Sequence, residues 1–134
     1  GVGMTTANDI YIITFGGYFK INMGQQYDNA SHAVMLMEYQ TNPNINVQFI
    51  GQTSTQIQNI IYFVNDQTGL IGSFDMNTES YQYPLNFLNP PISVNGSCVT
   101  HKDNALVFVG GQTSETPTKA LFHLDIANNL WFIG

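Results

Sequence analysis

A chain of 134 residues is long enough for one domain with a hydrophobic core and short for two of ordinary size. Hydrophobic residues make up 43% and charged residues only 9%, so solubility rests on Asn, Gln, Ser and Thr, which points to an extracellular or cell-surface setting rather than the cytosol. Three basic residues against nine acidic ones give a net charge of -6, which removes the cationic surface that nucleic acid or anionic lipid would need.

No apolar run approaches the roughly 18 to 20 residues that cross a bilayer as a helix, so no membrane span is expected. Gly1 opens no signal-peptide pattern, and a mature or excised segment is expected. The single cysteine, Cys98, excludes an internal disulfide and a multi-thiolate zinc site.

In chain order, "VGMTT" reads as a short strand and "NDIYIITFGG", ending at Gly16 and Gly17, as a longer apolar one. The segment "YFKINMGQQYDNASH" reads as a long loop, with Tyr18, Phe19 and Tyr27 as a candidate contact surface for sugar rings or protein. Each of these aromatics is weighed against simple packing under its own loop. "AVMLMEY" reads as a third strand, and "EYQTNPNINVQF" as a turn with Tyr39 before it and Val47 or Phe49 after it, closing a unit at about residue 49.

A second unit, about residues 50 to 88, opens on "GQTSTQI" and continues with "QNIIYFVND", ending at Asn65 and Asp66. Then come "GLIGSF" and "FDMNTESY", where Asp75 builds a turn and Tyr81 sits seven residues after Phe74. After the link "YPLNFLNPPISVNG", a third unit, about residues 92 to 134, repeats the order. It runs through "SCVTH", "DNALVFVGG" ending at Gly110 and Gly111, the loop "QTSETPTK", "KALFHL", and "LDIANNLW" with Asp125 and Trp131.

Taking Gly16, Asn65 and Gly110 as equivalent gives spacings of 49 and 45 residues, the period of a four-stranded propeller blade. "IYIITF", "IIYFV" and "ALVFV" are apolar at consecutive positions, as strands covered on both faces are. The expectation is an all-β chain of three four-stranded antiparallel units in a single domain. Asn and Asp tolerate positive φ, so Asn65 and Asp66 are expected to replace the Gly-Gly pair in the second unit.

The repeated Gly-Gly strand, turn Asp and final aromatic resemble the kelch repeat across nearly the whole chain. That resemblance implies kelch-like β-propeller blades, an incomplete propeller with too few blades to close a ring, and a buried Cys98 in an innermost strand. Its partners would be other copies of the chain or the remaining blades of a precursor, in a closed ring or an open fibre. Kelch blades also occur in galactose oxidase-like copper-radical oxidases, which would need Cys98 cross-linked to a tyrosine, and in intracellular adaptors that recruit proteins; both stand as alternatives.

The sequons Asn29-Ala30-Ser31 and Asn95-Gly96-Ser97 offer glycosylation sites if the chain enters a secretory pathway. His32, His101 and His123 fall in different units without metal-ligand spacing, and the carboxylates recur at equivalent turns rather than as one pair. The reading is therefore a non-catalytic structural or binding module without cofactor or metal, acting on glycans, surface proteins or its own copies.

Overall fold

Short β-branched and aromatic runs bounded by Gly, Asn and Asp form strands throughout the computed structural model. It describes residues 1–6, 9–14, 17–22, 37–41, 53–65, 69–87, 97–113, 116–117 and 121–133. Three four-stranded antiparallel sheets result, and there is no helix among the described residues.

The first sheet is β1 (Val2–Met4), β2 (Asp9–Thr14), β3 (Gly17–Asn22) and β4 (Met37–Thr41), each strand beside the next. The second repeats this order with β5 (Ser54–Ile57), β6 (Ile60–Val64), β7 (Ile71–Asp75) and β8 (Ser80–Gln82). The third comprises β9 (Cys98–Lys102), β10 (Ala105–Val109), β13 (Leu121–Asp125) and β14 (Leu130–Ile133). Between β10 and β13 the chain makes a two-stranded excursion, β11 (Gln112–Thr113) with β12 (Thr116–Pro117), within the segment expected to be a plain loop.

Register makes the repeat explicit. One row across the sheets reads Val2, Ile12, Phe19, Tyr39 in the first, Gln56, Ile61, Phe74, Tyr81 in the second, and His101, Leu106, Leu124, Trp131 in the third. The first unit departs from its sequence reading here. Tyr18 and Phe19 lie in strand β3 rather than in a loop, and "MEYQT" is the fourth strand, not the third. Tyr39 thus holds the aromatic position that Tyr81 and Trp131 hold in the other units, rather than preceding the turn. The cause is loop length: the long insertion falls between strands three and four in this unit, where the other two have a four-residue turn.

Those four-residue turns are built alike. The Asp75 carboxylate accepts from the backbone N–H groups of Asn77 and Thr78 at 2.9 and 3.3 Å, and Asp125 accepts from Ala127 and Asn128 at 3.1 and 3.3 Å. Each turn ends on a left-handed residue, Glu79 and Asn129, both at φ 53°. The tight turns after β5 and β9 match too, with Gln58 at φ 55° and Asp103 at φ 53°.

Gly110 and Gly111 take φ of 87° and 103°, a region that disfavours side chains. In the second unit Gly69, at φ 75°, supplies the left-handed residue. Asn65 does not stand in for a glycine, since positive φ among the described non-glycine residues occurs only at Gln58, Glu79, Asp103 and Asn129. Its backbone closes the loop to Leu70 and Gly69, and its side-chain amide donates to the Tyr83 hydroxyl at 3.2 Å.

The sheets stack face to face. Tyr11, Ile13 and Tyr18 of the first bury against Ile61, Phe74 and Met76 of the second. Val64 and Ile71 of the second bury against Val99, Leu106, Phe108, Phe122 and Leu124 of the third. Full burial of side chains of this size is worth roughly 1.5–3 kcal/mol each, so these two seams carry most of the stability. The first strands β1, β5 and β9 are neighbours along one edge of the stack.

Candidate functional site

Alternation along each strand sends one set of side chains into a seam and the other set to the opposite face. In the middle sheet both sets are covered. In the two terminal sheets one set meets no other sheet among the described residues.

The outer face of the third sheet presents Val107, Val109, Leu121, Leu130 and Phe132, with Phe132 44% and Val109 48% exposed. His123 lies flat on Phe132, ring centroids 5.0 Å apart and planes 17° from parallel. A broad open groove of about 700 Å³ runs over this face, bordered by Thr100, Lys102 and Asp125. The outer face of the first sheet carries Val2, Met4, Ile10, Ile12, Phe19 and Ile21, with Val2 62% exposed and Ile12 and Phe19 half-buried.

Row equivalence explains what these faces are. Ile61 with Phe74, and Leu106 with Leu124, occupy the positions of Ile12 with Phe19, and all four are fully buried by the preceding sheet. The first sheet has the same apolar pair, and no sheet packs on that side of it among the described residues.

Polar groups fasten each seam. The Gln56 side chain bonds the Met4 backbone twice, accepting from its N–H at 2.8 Å and donating to its carbonyl at 2.7 Å. Tyr18 donates to Glu79 at 2.7 Å, and Tyr81 donates to the Gly17 carbonyl at 3.2 Å. Lys20 pairs with Glu79 at 3.5 Å and stands 5.7 Å from the Tyr11 ring centre. Burial, with the Glu79 carboxylate adding to it, holds the Tyr11 phenol above its ordinary value. Across the second seam, Thr55 Oγ1 and His101 Nδ1 share a hydrogen bond of 2.8 Å, and Asn129 donates to the Asn86 carbonyl at 3.3 Å.

A small polar cleft of about 210 Å³ opens at the rim of the first seam, lined by Thr5, Thr6, Asp9, Lys20, Asn77 and Glu79. Its lysine and glutamate are paired with each other, so the charges clasp two sheets together.

The residues singled out from sequence distribute as follows. Tyr18 is buried in the first seam, and Phe19 is on the outer face of the first sheet, so the two point to opposite sides of β3 and do not form one contact surface. Tyr27, Asn29, Asn95, Gly16 and Asp66 lie outside the described residues. Cys98 is exposed rather than buried, because β9 is an edge strand and Cys98 alternates away from buried Val99 onto the outer face of the third sheet. Tyr81 and Trp131 meet the seam row, with Tyr81 at 4.7 Å from Phe74 and Trp131 at 5.3 Å from Phe108. Among the described residues no group of three or more His, Cys, Asp and Glu side chains converges as a metal site, and no helix is long and apolar enough to cross a membrane.

Sequence reasoning missed Gln56, Thr55 and His101 as fasteners between sheets. The one available signal was their spacing, since Gln56 and His101 are 45 residues apart, the same as Asn65 and Gly110. No protein-family model matches the chain, and no curated protein matches it in sequence.

Proposed function

We propose that the chain is a non-catalytic structural and binding module of kelch-type blades, working at the cell exterior by assembling with further blades. Those blades come from other copies of the chain or from the rest of a precursor. The observation that carries this reading is the pair of apolar faces that no other sheet covers among the described residues; where a sheet covers the equivalents of Ile12 and Phe19, those side chains, Ile61 with Phe74 and Leu106 with Leu124, are fully buried. Contiguous exposed apolar patches of this kind mark interaction surfaces.

Support for the exterior location is compositional: 9% charged residues, and the sequons at Asn29 and Asn95. Glycans on those asparagines and surface proteins at the loops complete the proposed set of partners. Sedimentation of the purified 134-residue chain tests the assembly reading. An oligomer at micromolar concentration supports assembly between copies, and a stable monomer overturns that source of blades and leaves the rest of a precursor as the other. Intact mass of chain secreted from a eukaryotic host tests the location reading: added hexose mass that disappears in Asn29→Gln with Asn95→Gln is expected, and unmodified chain argues against it.

A further inference from the structure

We propose that the polar cleft at the rim of the first seam binds a neutral sugar ring, held through its hydroxyl groups. The site lies between the first two sheets of a single chain, so it is built without any further blade.

Two walls and a floor shape it. On the first-sheet wall, Asp9 and Tyr11 of β2 alternate onto the seam side, and register sets Lys20 of β3 opposite Tyr11. The segment after β1 brings Thr5 and Thr6 to the same rim. The second-sheet wall is the β7–β8 turn, with Asn77 and Glu79. Tyr11 and Met76, each 2% exposed, close the bottom. A second cleft of about 370 Å³ shares Thr5, Thr6 and Asn77 with the first and runs on to Gln58 and Asn59.

Both walls are fixed by bonds within the chain. The Thr5 N–H donates to the Asp9 carbonyl at 2.9 Å, and the Asp9 N–H donates to Thr5 Oγ1 at 3.1 Å. Opposite them, Asp75 Oδ1 accepts from the Asn77 N–H at 2.9 Å and from Asn59 Nδ2 at 3.0 Å, while the Met76 N–H donates to the Asn59 carbonyl at 2.9 Å. Gln56 ties wall to wall through the Met4 backbone. A cleft ordered in this way loses little freedom when a ligand enters.

Charge decides the ligand class. Asp9 and Glu79 set two negative charges against the single positive charge of Lys20, which disfavours phosphate, sulfate and carboxylate ligands. A divalent cation would meet the Lys20 ammonium, which pairs with Glu79 at 3.5 Å. Burial works against that ammonium, but the Tyr11 hydroxyl, Glu79 and Asp9 outweigh it and hold Lys20 above its ordinary value, so it stays charged. The cleft then offers acceptors at Asp9 and Glu79, a donor at Lys20, and groups that do both at Thr6 and Asn77. Sugar hydroxyls, each a donor and an acceptor, match that mixture without bringing a charge. Drug-sized ligands fill roughly 300–1,000 Å³, so the 210 Å³ cleft suits one ring and the adjoining one a second.

Saturation-transfer difference NMR of the 134-residue chain with methyl glucoside, methyl galactoside and methyl mannoside tests the site. A saturable signal from at least one of these single neutral rings is expected. Asp9→Asn, which removes a charged acceptor, should weaken binding about tenfold, and Asn77→Ala about threefold. Both substitutions leave the backbone bonds of their segments in place, and an unchanged circular dichroism spectrum checks the fold. If either variant fails to fold, Thr6→Ala, at an exposed residue, should show the same threefold loss. No signal from any of the three glycosides, or a signal that survives these substitutions, would overturn the proposal. So would displacement of the glycoside by calcium chloride at equal concentration, which would assign the cleft to a cation. Sedimentation enters none of these outcomes, so the sugar site and the assembly reading fail separately.

Discussion

The Tyr18 hydroxyl in the first sheet donates a 2.7 Å hydrogen bond to the Glu79 carboxylate, which sits on the last residue of the β7–β8 turn in the second. It crosses 61 residues of sequence and ties a seam residue to a turn held left-handed. Removing the hydroxyl in Tyr18→Phe keeps the ring in its apolar contacts and deletes a bond to a charged acceptor, a loss of about 1–2 kcal/mol. Urea denaturation should show that drop with an unchanged slope. Equal stability of the variant would mean that the bond contributes nothing net.

Gly72 illustrates a different constraint. A Cβ there would fall 2.5 Å from Phe63 Cζ and 2.9 Å from Tyr83 Cδ2. Phe63 is fully buried and stacks on Tyr83 at 6.0 Å, so neither ring can yield cheaply. Gly72→Ala should cost about 1–3 kcal/mol by overpacking, read as a lower melting temperature. A neutral result would show that the β6–β7 surface has slack.

Phe74 is fully buried where the first two sheets meet, with ring contacts at 5.5 Å to Tyr11, 4.8 Å to Tyr18 and 4.7 Å to Tyr81. Phe74→Ala leaves a cavity at the centre of that seam and should cost about 3–5 kcal/mol. Because the second seam uses the opposite face of the middle sheet, hydrogen exchange should accelerate in β1–β4 more than in β9, β10, β13 and β14. Uniform acceleration would indicate that the three sheets unfold as one unit.

Asp125 contributes one pH-dependent component of stability. The Asn128 side chain, then the backbone N–H groups of Asn128 and Ala127, hold its carboxyl below the usual carboxylate value. A depressed folded-state value means the stabilisation is present above the unfolded value of about 3.9 and is lost as pH falls through the lower folded one. The melting temperature of Asp125→Ala should lie below wild type at neutral pH, and the gap should narrow in acid below that window. A gap independent of pH would assign the effect to turn geometry alone.

Much of the repeat is visible in the chain because it is local chemistry. Phe74 before Asp75 and Leu124 before Asp125, each with an aromatic seven residues on, are spaced by a turn whose hydrogen bonds start from the aspartate. Their register partners, Tyr81 and Trp131, follow from that turn length. The first unit hides the same row because a long insertion separates Phe19 from Tyr39, and no local pattern tells which apolar segment resumes the sheet across such a gap.

The sequence by itself determined that the chain is all β, that it holds three four-stranded units and where two of the turns fall, since strand patterning and turn chemistry act between residues close along the chain. Tertiary structure alone decided which face of each strand is covered. It buried Tyr18 and turned Phe19 outward, exposed Cys98, and brought Thr55 to His101. The physical reason is that a strand apolar on both sides suits either direction, and only the sheets packed on it among the described residues set which side is buried.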